Sequence, residues 1–452
     1  MSDSKAAAIV LAAGKGTRMK SALPKTLHRI GGRPMIGHVL DRLAETGVDR
    51  VAVVIGAGAE AVAAAVAPVP TVVQDPPLGT AHAVLAAREF LAGFDGDVLV
   101  LFGDTPLLTA DTIRHMLEML RSPAGPAVVV LGFRPDDTAE YGRLVTDADG
   151  RLLAIVEHRD ADGDTRRIGF CNAGIMAADG RHLLSLLDEV GNDNAKGEYS
   201  ITDIVAIARS RGLDCAVTEA ADADEVMGVN ARSELAVAER VLQQRLRARA
   251  MADGATLIDP DSVWFCHDTR LGRDVVIGPQ VVFGPGVTVG DGVTIEAFCH
   301  IEGAGIADHA AIGPFARLRP GARIGDRARV GNFVEIKASS LGADAKVNHL
   351  SYVGDSRVGA GANIGAGTIT CNYDGFDKAE TEIGAGAFIG SNTALVAPVT
   401  IGAGAIVGAG SAIARDVPPG ALAVARGAQT VKAGWAEDFR VRRRTAKPRS
   451  ES

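Results

Sequence analysis

At 452 residues the chain is long enough for two or three domains, each burying a core of its own. A formal net charge of −8 argues against a nucleic-acid-binding surface, and no apolar run is long enough to span a bilayer, so neither partner is expected. Five cysteines scattered without a Cys-x-x-Cys pair, behind an N-terminus (Met1 to Lys5) that lacks a signal peptide's apolar stretch, point to reduced thiols in the cytoplasm.

The first element is an apolar run from Ala6 to Leu11, read as a buried parallel strand. It opens into LAAGKGTRMKSALPK (Leu11 to Lys25), a glycine loop carrying Lys15 and Arg18, with Pro24-Lys25 beyond it. Glycine lets backbone N–H groups approach an anion and nearby cations neutralise it, so a phosphate-rich ligand is expected. The spacing is not that of a Walker loop, and Met19 stands where the dinucleotide fingerprint needs a third glycine. Further strands are predicted at Val51–Ile55, Thr71–Gln74, Asp97–Phe102 and Ala127–Phe133, and helices over Pro34–Thr46, Thr80–Leu91 and Thr109–Leu120. Such alternation predicts a mostly parallel sheet with helices on both faces. Its ligands would sit at the carboxyl ends of the strands, where Gly14–Arg18 and Phe102-Gly103-Asp104 lie. Asp104 suits a divalent cation beside a triphosphate as well as it suits a helix cap near Thr109. Asn230, in Gly228-Val229-Asn230, offers a second oxygen donor.

Residues 233 to 253 contain no Gly or Pro and are rich in Ala, Leu, Glu and Arg, which predicts a helix acting as a linker arm. The chain is therefore read as an α/β domain over 1–232, the linker helix over 233–253, and a different architecture over 254–452. In that last part apolar residues recur every six positions: Ile277, Phe283, Val289, Ile295, Ile301. The phase resumes from Ile306 to Ile336 after a one-residue deletion, and again from Ile383 to Ile413. Glycine often follows the apolar residue, as at Gly278, Gly284, Gly290, Gly313, Gly325 and Gly331. A period of six fits a coil with three short faces per turn, the apolar residue pointing inward and Gly turning the corner. The basic run Arg440 to Arg444, with Lys447 and Arg449, reads as a frayed, solvated terminus.

Polar side chains concentrate in a few consecutive turns of the coil: Arg319, Glu335, Lys337, His349, Tyr352 and Asn363. Residues about 18 apart stack on one face, which sets Lys337 over Arg319 as a cationic pair suited to a phosphate. His349 beside that pair, with Glu335 to orient it, is the candidate general base. Cys371 to Glu382 interrupts the hexads, and an excursion from a solenoid is usually a loop on the binding face.

The loop Leu11–Lys25 resembles the signature loop of sugar-phosphate nucleotidyltransferases. The hexads resemble the left-handed parallel β-helix of hexapeptide-repeat acyltransferases. Through LAAGKGTRM, QDPPLGTAHA, LFGDTPL, YGRL, IVEHRDA, CNAGI and GVN, the chain is similar to a bacterial bifunctional family. Its members are both glucosamine-1-phosphate N-acetyltransferase and N-acetylglucosamine-1-phosphate uridyltransferase. The resemblance implies a Rossmann-like α/β nucleotidyltransferase domain followed by a left-handed β-helix that forms a homotrimer. The implied substrates are UTP, glucosamine 1-phosphate, N-acetylglucosamine 1-phosphate and acetyl-CoA. Leu11, Ala12, Ala13, Gly14, Gln74, Gly79 and Thr80 would surround the uracil and ribose, with Phe102 and Gly103 in the same site. Arg18 and Lys25 would neutralise phosphates, Gly142, Glu157 and Asn172 would hold the N-acetylated sugar, and Asp104 with Asn230 would bind Mg²⁺. In the second half, Arg319 and Lys337 would grip the sugar phosphate, and Tyr352 and Asn363 would touch the sugar. Ala366, Asn372, Tyr373, Ser391, Ala409 and Arg426 would contact acetyl-CoA. Four residues depart from the family pattern: Phe102 and Ser200 replace tyrosines, Ala173 a threonine and Asn348 a glycine. Two alternatives stay open, a nucleotidyltransferase with a structural or regulatory β-helix and a non-enzymatic subunit of a nucleotide-exchange factor.

Overall fold

The computed structural model describes residues 5–138, 140–194 and 197–445. It divides into two compact units, Met1–Arg249 with Phe265–His267, and Ala250–Trp264 with Asp268–Ser452.

The first unit is built on a nine-stranded sheet, seven of whose strands run side by side in the order Cys215–Glu219, Val128–Phe133, Cys171–Asp179, Asp97–Phe102, Ala6–Ala12, Arg50–Gly56, Thr71–Gln74. The expected mostly parallel arrangement holds except at Cys171–Asp179, which runs antiparallel to both neighbours. The hairpin Arg143–Thr146/Leu152–Val156 joins the beginning of that strand through the pair Cys171 and Arg143. Every residue of Ala6–Ala12 is buried because helices cover both faces. Ala7, Ile9 and Leu11 enter one core while Ala6, Ala8, Val10 and Ala12 enter the other, as side-chain alternation requires. The helix expected over Thr80–Leu91 is two pieces, Thr80–Ala86 and Arg88–Leu91, because Ala87 leaves helical geometry (ψ 14°). The helix Arg232–Ala252 contributes Ala238 and Val241 to a core with Ile30, Met35, Leu107 and Val229. Buried Gln243 on that helix bonds both the amide and the carbonyl of Phe265, at 2.8 and 2.7 Å.

In the second unit three parallel sheets share the strands in rotation, so that each turn of a β-helix gives one strand to each sheet. One column pairs Ile277, Ile295, Ile312, Val330, Val347 and Ile364 in register, and every one of these is buried. The stacked apolar column is what makes many weak turns into one core. The expectation that Gly turns the corners holds in part. The left-handed corner lies two or three residues beyond the apolar residue: it is glycine at Gly286, Gly292, Gly303, Gly321, Gly361 and Gly367, among others, whereas Gln280, Phe298, Phe315, Phe333 and Leu350 take it with φ between 51° and 61°. The glycine after the apolar residue answers a different demand, close stacking of turns: a Cβ at Gly331 would lie 2.0 Å from the Asn348 carbonyl oxygen.

The basic run is also more ordered than expected. Arg440 to Arg444 lie on the exposed helix Trp435–Thr445, where Trp435 stacks on Phe439 four residues on, at 5.1 Å between ring centroids. Lys447 and Arg449 lie outside the described residues. Among the described residues no helix is long and apolar enough to cross a membrane.

Two candidate active sites

In the first unit the strand registers bring the carboxyl ends of four strands to one edge. Leu11 stands opposite Phe102 and Val54, and Gly56 opposite Gln74. A cavity of about 370 Å³ opens on this edge, lined by Leu11 to Gly14, Lys25, Gln74, Gly79, Thr80, Phe102, Asp104 and Asn230 among others. The candidate nucleotide residues are thus assembled around one space. Gly16 has φ 59°, and a Cβ there would fall 2.6 Å from Lys25 Cβ, so the loop can close on Lys25 only as glycine. Gly79 has φ 123°, and a Cβ there would lie 2.4 Å from the Tyr199 carbonyl oxygen. That tight approach docks the segment around residue 200 on the cavity wall, helped by Ile201 N–H donating to Thr80 Oγ1 at 2.9 Å. Gln74 is buried, its amide donating to the Gly79 carbonyl at 2.9 Å. Lys15 and Arg18 are exposed on the loop.

Asp104 and Asn230, far apart in sequence, meet through the Val229 N–H donating to the Asp104 carbonyl at 2.9 Å. Their side-chain oxygens converge on the Lys25 ammonium, which pairs with Asp104 Oδ2 and donates to Asn230 Oδ1 at 2.9 Å. A carboxylate and an amide oxygen already converging on a cation suit a divalent metal ion, which needs few protein ligands when phosphates and water complete its shell. Gly142, Glu157 and Asn172 also converge: a Cβ on Gly142 would lie 3.5 Å from Glu157 Oε1 and 3.7 Å from Asn172 Cβ. Glu157 lines a neighbouring cavity of about 270 Å³ with Ser200, and Glu198 lines both cavities. Of the departures, the Phe102 ring lies against Gly174, and Ser200 Oγ bonds Thr202 Oγ1 at 2.9 Å.

In the second unit the turn-to-turn register places the candidate acetyl-transfer residues in two columns. His349 pairs with Asn332, and Ala366, Ser391 and Ala409 follow at the equivalent place in the next three turns. Backbone bonds tie this corner column together, Asn392 N–H to the Ala366 carbonyl at 2.7 Å and Gly410 N–H to the Ser391 carbonyl at 2.8 Å. Arg426 Nη1 closes it on the Ala409 carbonyl at 2.6 Å. The second column holds Arg319 one turn below Lys337, with Tyr352 one turn above Glu335. The turn Leu350-Ser351 is all that separates His349 from Tyr352. Asn363 sits on the next strand, paired with Lys346 and Phe388.

The expected link between Glu335 and His349 is not what the geometry shows. Glu335 accepts from Arg319 Nη1 at 2.8 Å and lies 3.6 Å from Arg317 Nη1. His349 Nδ1 instead meets Asn332 Oδ1 at 2.6 Å. With the amide oxygen accepting, the ring proton sits on Nδ1, and Nε2 carries the lone pair. Asn332 was not legible as a partner because its register with His349 follows from the strand pairing, not from a motif. Lys378 was also missed. It lies on the excursion, pairs across it with Tyr373, and stands against Lys337. The amine–amine contact and the Lys337 charge hold Lys378 below the ordinary lysine range, while the same contact, with Asp355, raises Lys337. Asn372 is buried, its amide donating to Asp355 and, at 3.4 Å, to the Tyr352 hydroxyl.

Comparison with known sequences agrees with both halves. The family model for a MobA-like NTP transferase domain matches residues 8–168. The model for the bacterial transferase hexapeptide (six repeats) matches 268–303, 303–338 and 380–415. A bifunctional protein GlmU of Paramagnetospirillum magneticum is 60% identical over 451 residues, the full length of both chains. One from Rhodospirillum rubrum is 63% identical, covering 98% of this chain and 99% of that protein. One from Rhizorhabdus wittichii is 61% identical over 97% and 98% of the two. The chain belongs to the bifunctional GlmU family. It is an enzyme with a nucleotidyltransferase and an acyltransferase activity on one polypeptide, and neither alternative reading gains support.

Proposed function

We propose that the β-helix acetylates glucosamine 1-phosphate from acetyl-CoA and that the α/β unit joins the product to UMP from UTP, releasing pyrophosphate and UDP-N-acetylglucosamine. The observation that carries this reading is that one chain holds two separate groups of candidate residues, a cavity lined by Lys25, Asp104 and Asn230 in the α/β unit and, on adjacent turns of the β-helix, Arg319 stacked with Lys337 and His349 held by Asn332.

In the α/β unit the sugar-phosphate oxygen attacks the α-phosphorus of UTP in line with the departing pyrophosphate. The nucleophile is already ionised at neutral pH, so the protein has to position and neutralise rather than abstract a proton. Leu11 to Gly14, Gln74, Gly79 and Thr80 frame the base and ribose, Arg18 and Lys25 meet the phosphates, and Gly142, Glu157 and Asn172 hold the N-acetylated sugar. Asp104 and Asn230 would hold Mg²⁺, which when bound neutralises charge building on the phosphate oxygens. In the β-helix His349 Nε2 takes the proton from the attacking amine, since an ammonium cannot attack a thioester. Asn332 holds the ring in that tautomer. Arg319 and Lys337, with Lys378, hold the sugar phosphate, Tyr352 and Asn363 the sugar, and the column Ala366–Ser391–Ala409 with Asn372, Tyr373 and Arg426 the coenzyme.

The enzyme acts in the cytoplasm as a homotrimer assembled through the β-helix. In support, Phe298, Phe315 and Phe333 form an exposed stacked ladder, at 4.8 and 5.1 Å between centroids, with Leu350 exposed in the next turn. Exposed aromatic strips of this kind mark association surfaces.

The test follows thiol release and pyrophosphate independently from purified protein given glucosamine 1-phosphate, acetyl-CoA, UTP and Mg²⁺. Both products are expected. His349→Ala should lose thiol release alone, and Asp104→Ala, given pre-acetylated sugar, should lose pyrophosphate alone. Loss of both half-reactions from either substitution in folded protein would overturn the assignment.

A further inference from the structure

The sequence assigns Lys25 to the phosphates, yet its ammonium sits on the two oxygens offered as metal donors. It pairs with Asp104 Oδ2 and donates to Asn230 Oδ1 at 2.9 Å. The arrangement is constrained on every side. The Lys25 and Asp104 side chains are only 13% and 15% exposed. The stem of Lys25 is pinned by Gly16, which approaches too closely to tolerate a Cβ. Asp104 and Asn230 are held together through the backbone of Val229, and Asn230 is fixed by the Glu234 carboxylate on its own N–H. An ammonium within hydrogen-bonding distance of both donors and a divalent ion on the same donors would repel strongly at such a separation.

We infer that Lys25 is a resident counter-cation of this site, competing with the divalent metal until nucleotide phosphates draw the ammonium away. The inference rests on the reading of Asp104 and Asn230 as metal donors. One side chain then has two successive partners. Without nucleotide it satisfies a carboxylate that would otherwise stand in a confined space without a cation. With nucleotide it moves to the phosphates and frees both donors. By linkage, metal and UTP must strengthen each other's binding, and Lys25 carries much of that coupling.

The experiment measures Mn²⁺ binding to the full chain by electron paramagnetic resonance of the free ion, with and without UTP and no sugar phosphate. The proteins are the parent, Lys25→Met, Lys25→Gln and each variant combined with Asp104→Asn, with unchanged thermal melts required of every protein compared. Without UTP, Lys25→Met is expected to bind Mn²⁺ at least about tenfold more tightly than the parent, the scale set by removing a unit charge beside the ligands. UTP should tighten Mn²⁺ binding to the parent by a larger factor than to the variant, and Lys25→Gln should behave as Lys25→Met. Unchanged or weaker Mn²⁺ binding by both variants, with Asp104→Asn still abolishing it, would overturn the role of Lys25 and leave the metal site standing. Mn²⁺ binding insensitive to Asp104→Asn in every background would overturn both.

Discussion

Replacing Asn332 with alanine isolates the contribution of the His349 orientation to acetyl transfer. Its Oδ1 accepts from Nδ1 at 2.6 Å, and the two residues sit opposite each other in adjacent turns, so the bond is made by a rigid scaffold. Removing a neutral hydrogen bond forfeits about 0.5–1.5 kcal/mol, or roughly 2- to 12-fold. That bond is what selects one of two tautomers and two flipped orientations for the exposed ring, so its loss is felt as a smaller share of rings presenting the basic nitrogen to the amine. The expected result is a fall of roughly 2- to 12-fold in kcat for thiol release, with the KM for glucosamine 1-phosphate nearly unchanged. Glu335→Gln provides the contrast. Its carboxylate serves Arg319 in a half-exposed pair, worth at most about 1 kcal/mol, so it should raise that KM by about fivefold or less and spare kcat. Steady-state thiol release over a range of both substrates reads the split. A kcat for Asn332→Ala within twofold of the parent, with Glu335→Gln down tenfold, would refute the assignment and restore Glu335 as the orienting group.

Three further outcomes follow from local geometry. Burial, with His267 and Arg33 nearby, lowers the His38 pKa to about 4, against opposing effects from the Ile30 carbonyl and Asp41. The native state then binds fewer protons than the unfolded one, so the stability tied to the neutral ring is complete above pH 6.5 and is lost as pH falls towards 4. That loss is roughly 3 kcal/mol, and denaturant midpoints against pH should show a shallower acid slope in His38→Gln than in the parent. Gly79→Ala must push a Cβ into the Tyr199 carbonyl, so the segment around residue 200 should shift and the KM for UTP rise about tenfold or more with acetyl transfer unaffected, read from paired initial rates. Lys378→Ala should raise the KM for glucosamine 1-phosphate by about tenfold while leaving pyrophosphate release from pre-acetylated sugar intact, and equal loss in both half-reactions would count against a local role.

The fold was legible where one physical constraint dominates. Asp97–Phe102 is legible to the residue because its continuous apolar run between turn residues fits a central strand, and Thr71–Gln74, a short β-branched run after Pro70, is legible as a strand at the sheet's edge. The hexads were legible for a similar reason, since one inward residue per face is repeated until chance is implausible. The antiparallel strand Cys171–Asp179 was not. Its residues Ala173, Gly174, Ala177 and Ala178 carry weak strand preference, and its direction depends on the preceding hairpin. The corner conformation is only partly legible because composition reports where glycine occurs, not why. In this coil some glycines, such as Gly325 and Gly331, mark close approach between turns and others, such as Gly286 and Gly292, bear the positive φ, a conformation that Phe298, Phe315 and Phe333 take in other turns.

The site divides along the same line. Wherever residues lie on the regular turns, their juxtaposition follows from counting, and Arg319 with Lys337 is correct for that reason. Counting fails at the excursion, where Ile364 pairs with Ile389 instead of a residue one ordinary turn away. Lys378 therefore belongs to no column, and only the folded loop, pinned by Arg357 on Glu380 and Glu382, brings it back to Lys337. Lys25 fails for a different reason. Its residue type announces an anion, and the anion its ammonium meets in the fold is the Asp104 carboxylate. A motif names the chemistry a side chain can do, whereas its resting partner is decided by which other charges the fold has left unneutralised nearby. For Lys25 to serve the phosphates as well it must leave Asp104, and that change of partner is the coupling of phosphate and metal binding that the Mn²⁺ titration reads.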